Sequence, residues 1–200
     1  MSSAGSELTA PVLLLAMPQV LDPFFHRSVV LLAHHEDGGS FGFIVNRPTG
    51  IKVSEILSGM EVSWRGRDEA VAYFGGPVQP QLGTVLWTPE DGGGGESALG
   101  ETSSWILPGI AITQHIGDLS ELAEKPPERF RLILGYAGWG AGQLLDEILR
   151  NDWLTAPVNN DLIFGPDPER IWSNALRSVG VDPAALPSFP SAGGGEETTN

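Results

Sequence analysis

Apolar residues in this chain gather in short runs broken by glycine, proline and charge, a spacing that predicts short strands and short helices. The run at residues 12–16 closes on Met17-Pro18, which suits a first strand entering a turn. Runs at residues 28–33 and 40–45 flank Glu36-Asp37-Gly38-Gly39, where glycine takes positive φ at no steric cost, so a hairpin is predicted. Pro48, Thr49 and Gly50 break its second strand. Val53, Ile56 and Leu57 share one helical face, whereas residues 71–74 and 83–87 read as strands on either side of a Gly75-Gly76-Pro77-Val78 corner. Residues 105–107 and 110–113 resume strand around Pro108-Gly109.

Asp118 is placed to cap a helix over residues 118–124, which Pro126-Pro127 stops. A strand follows at 131–136, an amphipathic helix at 143–149 and a last short strand at 162–164. Asp167-Pro168-Glu169 opens a closing helix with Ile171, Trp172, Ala175 and Leu176 turned inward. Strands and helices do not alternate regularly. The expected fold class is therefore α+β, a single domain on a mixed, strongly curved sheet with flanking helices. It should occupy residues 10–186, between a flexible leader at 1–9 and a disordered tail at 187–200. Asp91 and Glu96 bracket four glycines, so 88–101 reads as a mobile loop.

Charge narrows the function. Eleven Lys and Arg stand against twenty-five Asp and Glu, a net charge of −14. Direct nucleic-acid binding needs convergent cations and is not expected; anionic membranes are disfavoured on the same ground. A basic protein partner would be steered inward. The absence of cysteine removes disulfides, thiolate nucleophiles and Cys-based metal sites. The N-terminus has no basic segment before an apolar run, and no run reaches transmembrane length, so a cytoplasmic location is expected.

Candidate chemistry is sparse. In RLILGYAGWGAGQLL (residues 131–145), Gly135, Gly138, Gly140 and Gly142 stand between an apolar strand and a helix beginning near Gln143. Such a junction either lets backbones approach around Tyr136 and Trp139, or holds a small anion on unpaired N–H groups. Neither the Walker nor the dinucleotide glycine spacing is present. His34 and His35 point to opposite faces of a strand. His26, near Asp22 and His115, is open to three readings: structural histidine, metal ligand or proton carrier. No metal site and no cofactor are called for by spacing. Ser28, Ser40 and Thr49 lack a nucleophile elbow. Asn46 suits a cap on the turn after it, while Arg47 suits a bidentate clamp on a carboxylate, internal or belonging to a ligand. Asp146 and Glu147 follow the glycine segment and can order it. Trp139, Trp153 and Trp172 read as core, and Trp64, in a charged connector, as an exposed partner contact.

Several ordered motifs carry a family resemblance: LLAMP at 14–18, Asp22 to Phe25 with Ser28-Val29, the turn from His35 to Gly42, Asn46-Arg47-Pro48, Phe74-Gly75-Gly76-Pro77-Val78, and GYAGWGAGQL at 135–144 followed by Glu147. Together they resemble the AlgH/YqgE family of bacterial proteins. The resemblance implies a compact cytoplasmic α+β domain with no established activity, cofactor or substrate. It also implies an association with transcriptional control, through protein contact because no DNA-binding motif accompanies it. The family-like positions are Asn46, Arg47, Pro48, Gly75, Gly76, Pro77, Gly138, Trp139, Gly140 and Gln143. Two readings follow. One is a non-enzymatic binding or regulatory protein that contacts an unknown protein partner through the Asn46-Arg47 and Gly138–Gln143 loops. The other is a sensor or enzyme for a small anionic metabolite in the same cleft, with Arg47 holding the anion and His26 or His115 moving a proton.

Overall fold

The hairpin at Glu36–Gly39 joins β2 (Val29–Glu36) to β3 (Gly39–Ile44), antiparallel from Val30 opposite Ile44 to Glu36 opposite Gly39, with a bulge between Leu32 and His34. These elements belong to a computed structural model that describes residues 8–89, 104–107 and 109–187. The leader expected at 1–9, the glycine-rich loop at 88–101 and the tail at 187–200 lie, apart from a few flanking positions, outside the described residues. β1 (Val12–Ala16) pairs with β2 on one side and with β10 (Trp153–Ala156) on the other. β9 (Phe130–Gly140) is the central strand. It runs antiparallel to β3 and β6 (Val78–Trp87) and parallel to β5 (Val71–Phe74). β8 (Ile110–Thr113) and β7 (Ser104–Leu107) extend the β6 edge, and β4 (Pro48–Lys52) pairs with β5. The order β10-β1-β2-β3-β9-β6-β8-β7 makes a strongly curved mixed sheet in a single α+β domain.

Helices cover both sides of the sheet: α1 (Val53–Ser58), α2 (Ile116–Glu124), α3 (Gln143–Leu149), α4 (Asn160–Ile163) and α5 (Pro168–Ser178). Because β1 has helices on both faces, Leu13, Leu14, Leu15 and Ala16 are all fully buried and the strand reads as an unbroken apolar run. Leu13 and Leu15 face α5, with Ile171, Trp172 and Leu176. Leu14 and Ala16 face Trp139, Leu144 and Trp153. A third cluster lies under α1 and α2, around Leu57, Trp87, Leu122 and Leu132. Among the described residues no helix is long and apolar enough to cross a membrane.

Pro48, Thr49 and Gly50 do lie beyond the hairpin strand, since β3 stops at Ile44, and residues 48–52 add a separate short strand, β4, beside β5, where proline costs no ladder bond. Three expectations need correction. Leu162 and Ile163 end α4, with Phe164 just after it, rather than forming a strand, because Asn159 Oδ1 accepts from the Asp161 N–H at 2.8 Å and starts a helical turn. α2 starts at Ile116, capped by the His115 ring, whereas Asp118 is buried inside its first turn and accepts from the Thr113 hydroxyl at 2.7 Å. Asp167 makes no side-chain cap on α5 and pairs instead with Arg170 at 3.1 Å, leaving Pro168 to set the start.

Candidate functional site

The Asn46-Arg47 corner follows β3 and reaches back to the turn at residues 22–27. That turn is shaped by Asp22, whose Oδ1 accepts from the Phe24 N–H at 2.8 Å and whose carbonyl accepts from the His26 N–H at 2.8 Å. Asn46 Oδ1 accepts from the Val29 N–H at 2.9 Å, and its Nδ2 donates to the Arg27 carbonyl at 3.0 Å. Asn46 therefore locks the entry to β2 rather than capping the turn after it. Arg47 Nη2 donates to the His26 carbonyl in place of the expected carboxylate clamp. Burial lowers the Arg47 pKa from its ordinary value, and the field of Asp22 opposes that shift. Replacing Asn46 by alanine strands the buried Val29 N–H and is expected to cost about 2 kcal/mol, read from urea unfolding.

The glycine segment is not the loop that its composition suggests. Gly138 pairs with Phe41 and Gly140 with Gly39, so β9 continues to Gly140 because the hairpin strand supplies partners along this stretch. Only Ala141-Gly142 separates it from α3. The Gly140 N–H donates to Gln143 Oε1 at 3.0 Å, and Gln143 Nε2 donates to Glu147 Oε1 at 2.9 Å. Glu147 Oε2 also accepts from the indoles of Trp139, at 2.9 Å, and Trp153, at 2.7 Å. This carboxylate ties β9, α3 and β10 together. Phe25, from the 22–27 turn, packs edge-on to Trp153 with ring centroids 5.8 Å apart and lies 6.4 Å from Trp139. The Asn46-Arg47 and Gly138–Gln143 segments thus meet through that turn, as packing.

Gly76, at φ +151°, lets the corner between β5 and β6 pass the Tyr136 backbone; an added Cβ would lie 2.2 Å from the Tyr136 carbonyl carbon and oxygen. His26 Nδ1 lies 3.0 Å from the Val20 carbonyl, and His115 Nδ1 accepts from the Gly117 N–H at 3.2 Å. Each ring has its own local backbone partner, and among the described residues no group of three or more His, Asp and Glu is arranged to hold a metal. Ser28 is fully buried, and Thr49 donates to the Ala72 carbonyl at 2.9 Å. Ser40 Oγ lies 2.7 Å from His35 Nδ1 across the hairpin, but Ser40 is buried, so the pair locks strands rather than offering a nucleophile. Trp64 is half-buried on Phe130 and does not stand out as a free contact.

A shallow cleft of about 540 Å³ remains open over β3 and β9, lined by His34, Glu36, Phe41, Val78, Tyr136 and Gly138 among others. Phe41 stacks on His34 at 5.5 Å and meets Tyr136 edge-on at 6.2 Å while remaining 36% exposed. Trp139 also borders the cleft. Sequence reasoning passed over Phe41, which looked like one more alternating strand residue. It also passed over Arg131, which lies inside an apolar strand and is only 5% exposed. Glu147 had a legible signal, since it follows Gln143 by one helical turn.

The "AlgH-like" family profile matches residues 13–184. A UPF0301 protein of Myxococcus xanthus is 40% identical over 178 residues, covering 88% of this chain and 94% of its own length. The solution structure of the AlgH protein from Pseudomonas aeruginosa aligns with TM-score 0.72 and 29% identity, over 95% of this chain and 100% of that one. A crystal structure of a Corynebacterium diphtheriae protein shares the fold, with TM-score 0.70 at 23% identity over 88% of this chain and 89% of that one.

Proposed function

We propose, from the premise that this chain belongs to the AlgH-like family, that it is a non-enzymatic binding protein that docks a basic protein segment on the aromatic face of β3 and β9. One contrast carries the reading. Asn46, Arg47, Gln143 and Glu147 are all hydrogen-bonded to the chain itself, whereas Phe41 stays open between His34 and Tyr136. Glu36 and Asp37 are exposed at the hairpin beside Phe41, and the net charge of −14 steers a cationic partner towards it. An apolar side chain of the partner would meet the Phe41 ring, with Lys or Arg beside Glu36. Holding a small anion between Asn46-Arg47 and Gly138–Gln143 would instead require breaking the internal bonds that engage those donors. Any part in transcriptional control would run through protein contact, because the acidic surface repels DNA.

Phe41→Ser and Glu36→Lys variants test the reading by co-purification from the source cell. Each is expected to weaken partner recovery about tenfold, as hot-spot positions do. Undiminished recovery with both changes would place the interface elsewhere.

A further inference from the structure

On another part of the surface, three segments enclose a cleft of about 850 Å³: residues 64–70, residues 126–130 and residues 161–166. An adjoining hollow of about 280 Å³ shares Arg67, Arg129 and Phe130 with it and extends to Tyr73 and Arg131. Four of the chain's eleven Lys and Arg line these two spaces: Arg65, Arg67, Arg129 and Arg131. Three carboxylates, Glu69, Glu128 and Asp161, lie among them, so cations outnumber anions here in a protein whose net charge is −14.

The arginines are unequal in their commitments. Arg131 is held at the base by the Val45 carbonyl and by the Gly165 carbonyl at 2.8 Å, with its guanidinium 4.0 Å over the Tyr73 ring. Burial lowers its pKa to about 10, so it remains a fixed positive charge at neutral pH. Arg129 pairs with Asp161 at 2.8 Å, a partly exposed bridge that exchanges cheaply for another anion. Arg65 and Arg67 are exposed, and among the described residues their side chains have no hydrogen-bond or ion-pair partner. Their backbones are nonetheless fixed. The Arg65 N–H donates to the Ala123 carbonyl at 3.0 Å, and the Arg67 carbonyl accepts from Trp64 Nε1 at 3.0 Å. Trp64 and Phe130, 5.1 Å apart, add an aromatic wall.

We infer that this cleft binds a small organic phosphate bearing a flat ring, in class a nucleoside phosphate, with the phosphates on Arg65, Arg67 and Arg129 and the ring against Trp64 and Phe130. Guanidinium forks match phosphate oxygens in pairs, and rings stack on indole faces. The volume suits such a ligand. The acidity of the whole chain selects against a long polyanion. A compact anion lies within the local arginine field, because charges beyond about 8 Å are largely screened at physiological salt.

Titration of the full chain with adenosine or guanosine diphosphate, followed by amide and indole NMR shifts, tests this directly. Saturable shifts are expected at residues 64–70 and 126–130 and at the Trp64 indole. Adenosine alone and inorganic pyrophosphate alone should each bind at least about tenfold more weakly. The Arg65→Ala, Arg67→Ala double variant should keep its melting temperature, because the fold uses only the backbones of these residues, and should lose about tenfold in diphosphate affinity. The inference is overturned by no saturable shift with either diphosphate, by shifts centred outside the cleft, by pyrophosphate binding as tightly as the nucleotides, or by undiminished binding in the double variant.

Discussion

Alanine at Gly76 is expected to cost on the order of 4 kcal/mol, or to leave no folded protein, which places it among the most damaging single changes in the chain. Two independent causes act together. The backbone φ of +151° is one that L side chains rarely adopt. The added Cβ would also lie 2.2 Å from the Tyr136 carbonyl carbon and oxygen, which are backbone atoms and cannot rotate away. Relief by local movement is blocked, because the neighbouring Gly75 N–H donates to the Leu134 carbonyl at 2.8 Å while its own carbonyl accepts from the Ile44 N–H at 2.9 Å. Shifting this corner would open β3 and β9 together. Thermal unfolding of the purified variant, or its recovery only in the insoluble fraction, checks the expectation; wild-type stability would contradict it.

Replacement of Arg131 by methionine should cost about 3 kcal/mol, from two opposed effects. The guanidinium links the segment just after β3, through the Val45 carbonyl, to the turn after α4, through the Gly165 carbonyl, and it covers the Tyr73 ring. Methionine fills some of the volume but leaves both carbonyls without this donor. In the other direction, burying the charged form works against folding, which is why the folded pKa falls from the ordinary arginine value to about 10. The sign follows from proton binding. Between those two values the unfolded chain holds the proton more tightly, so the charge penalty is full below pH 10 and eases as pH rises above it. At neutral pH methionine escapes that penalty, and the net loss is smaller than that of the contacts alone. Urea unfolding at pH 7 measures it. A variant as stable as the parent would mean that the two carbonyls find other donors.

Periodicity and turn chemistry made much of this fold legible. The Asp37-Gly38-Gly39 turn forms between its two strands, and Pro168 with Ile171, Trp172, Ala175 and Leu176 defines α5 and its buried face. Failures arose where tertiary pairing overrode composition. Gly138 and Gly140 look like a loop in isolation, yet β3 provides ladder partners that keep them in a strand, and Gly135 sits at the irregularity where β9 passes β6. Leu162 and Ile163 are apolar and brief, so nothing in their own pattern separates a strand from a single helical turn set by Asn159. At the candidate site, sequence identified Asn46, Arg47, Trp139 and Gln143 but not the direction of their bonds. Those bonds run to the 22–27 turn and to Glu147. Likewise, the convergence of Arg65 and Arg67 with Arg129 and Arg131 brings distant segments together and leaves no trace in any local motif.

The proposed docking surface is the aromatic face of β3 and β9. Photo-crosslinking in the source cell, with a photoreactive residue at position 41 and a control at the exposed Leu149, interrogates that surface directly. A discrete protein adduct from position 41, absent from position 149 and diminished by Glu36→Lys, is the predicted result. Matching adduct patterns from both positions, or none from position 41 in a folded and expressed protein, would contradict it.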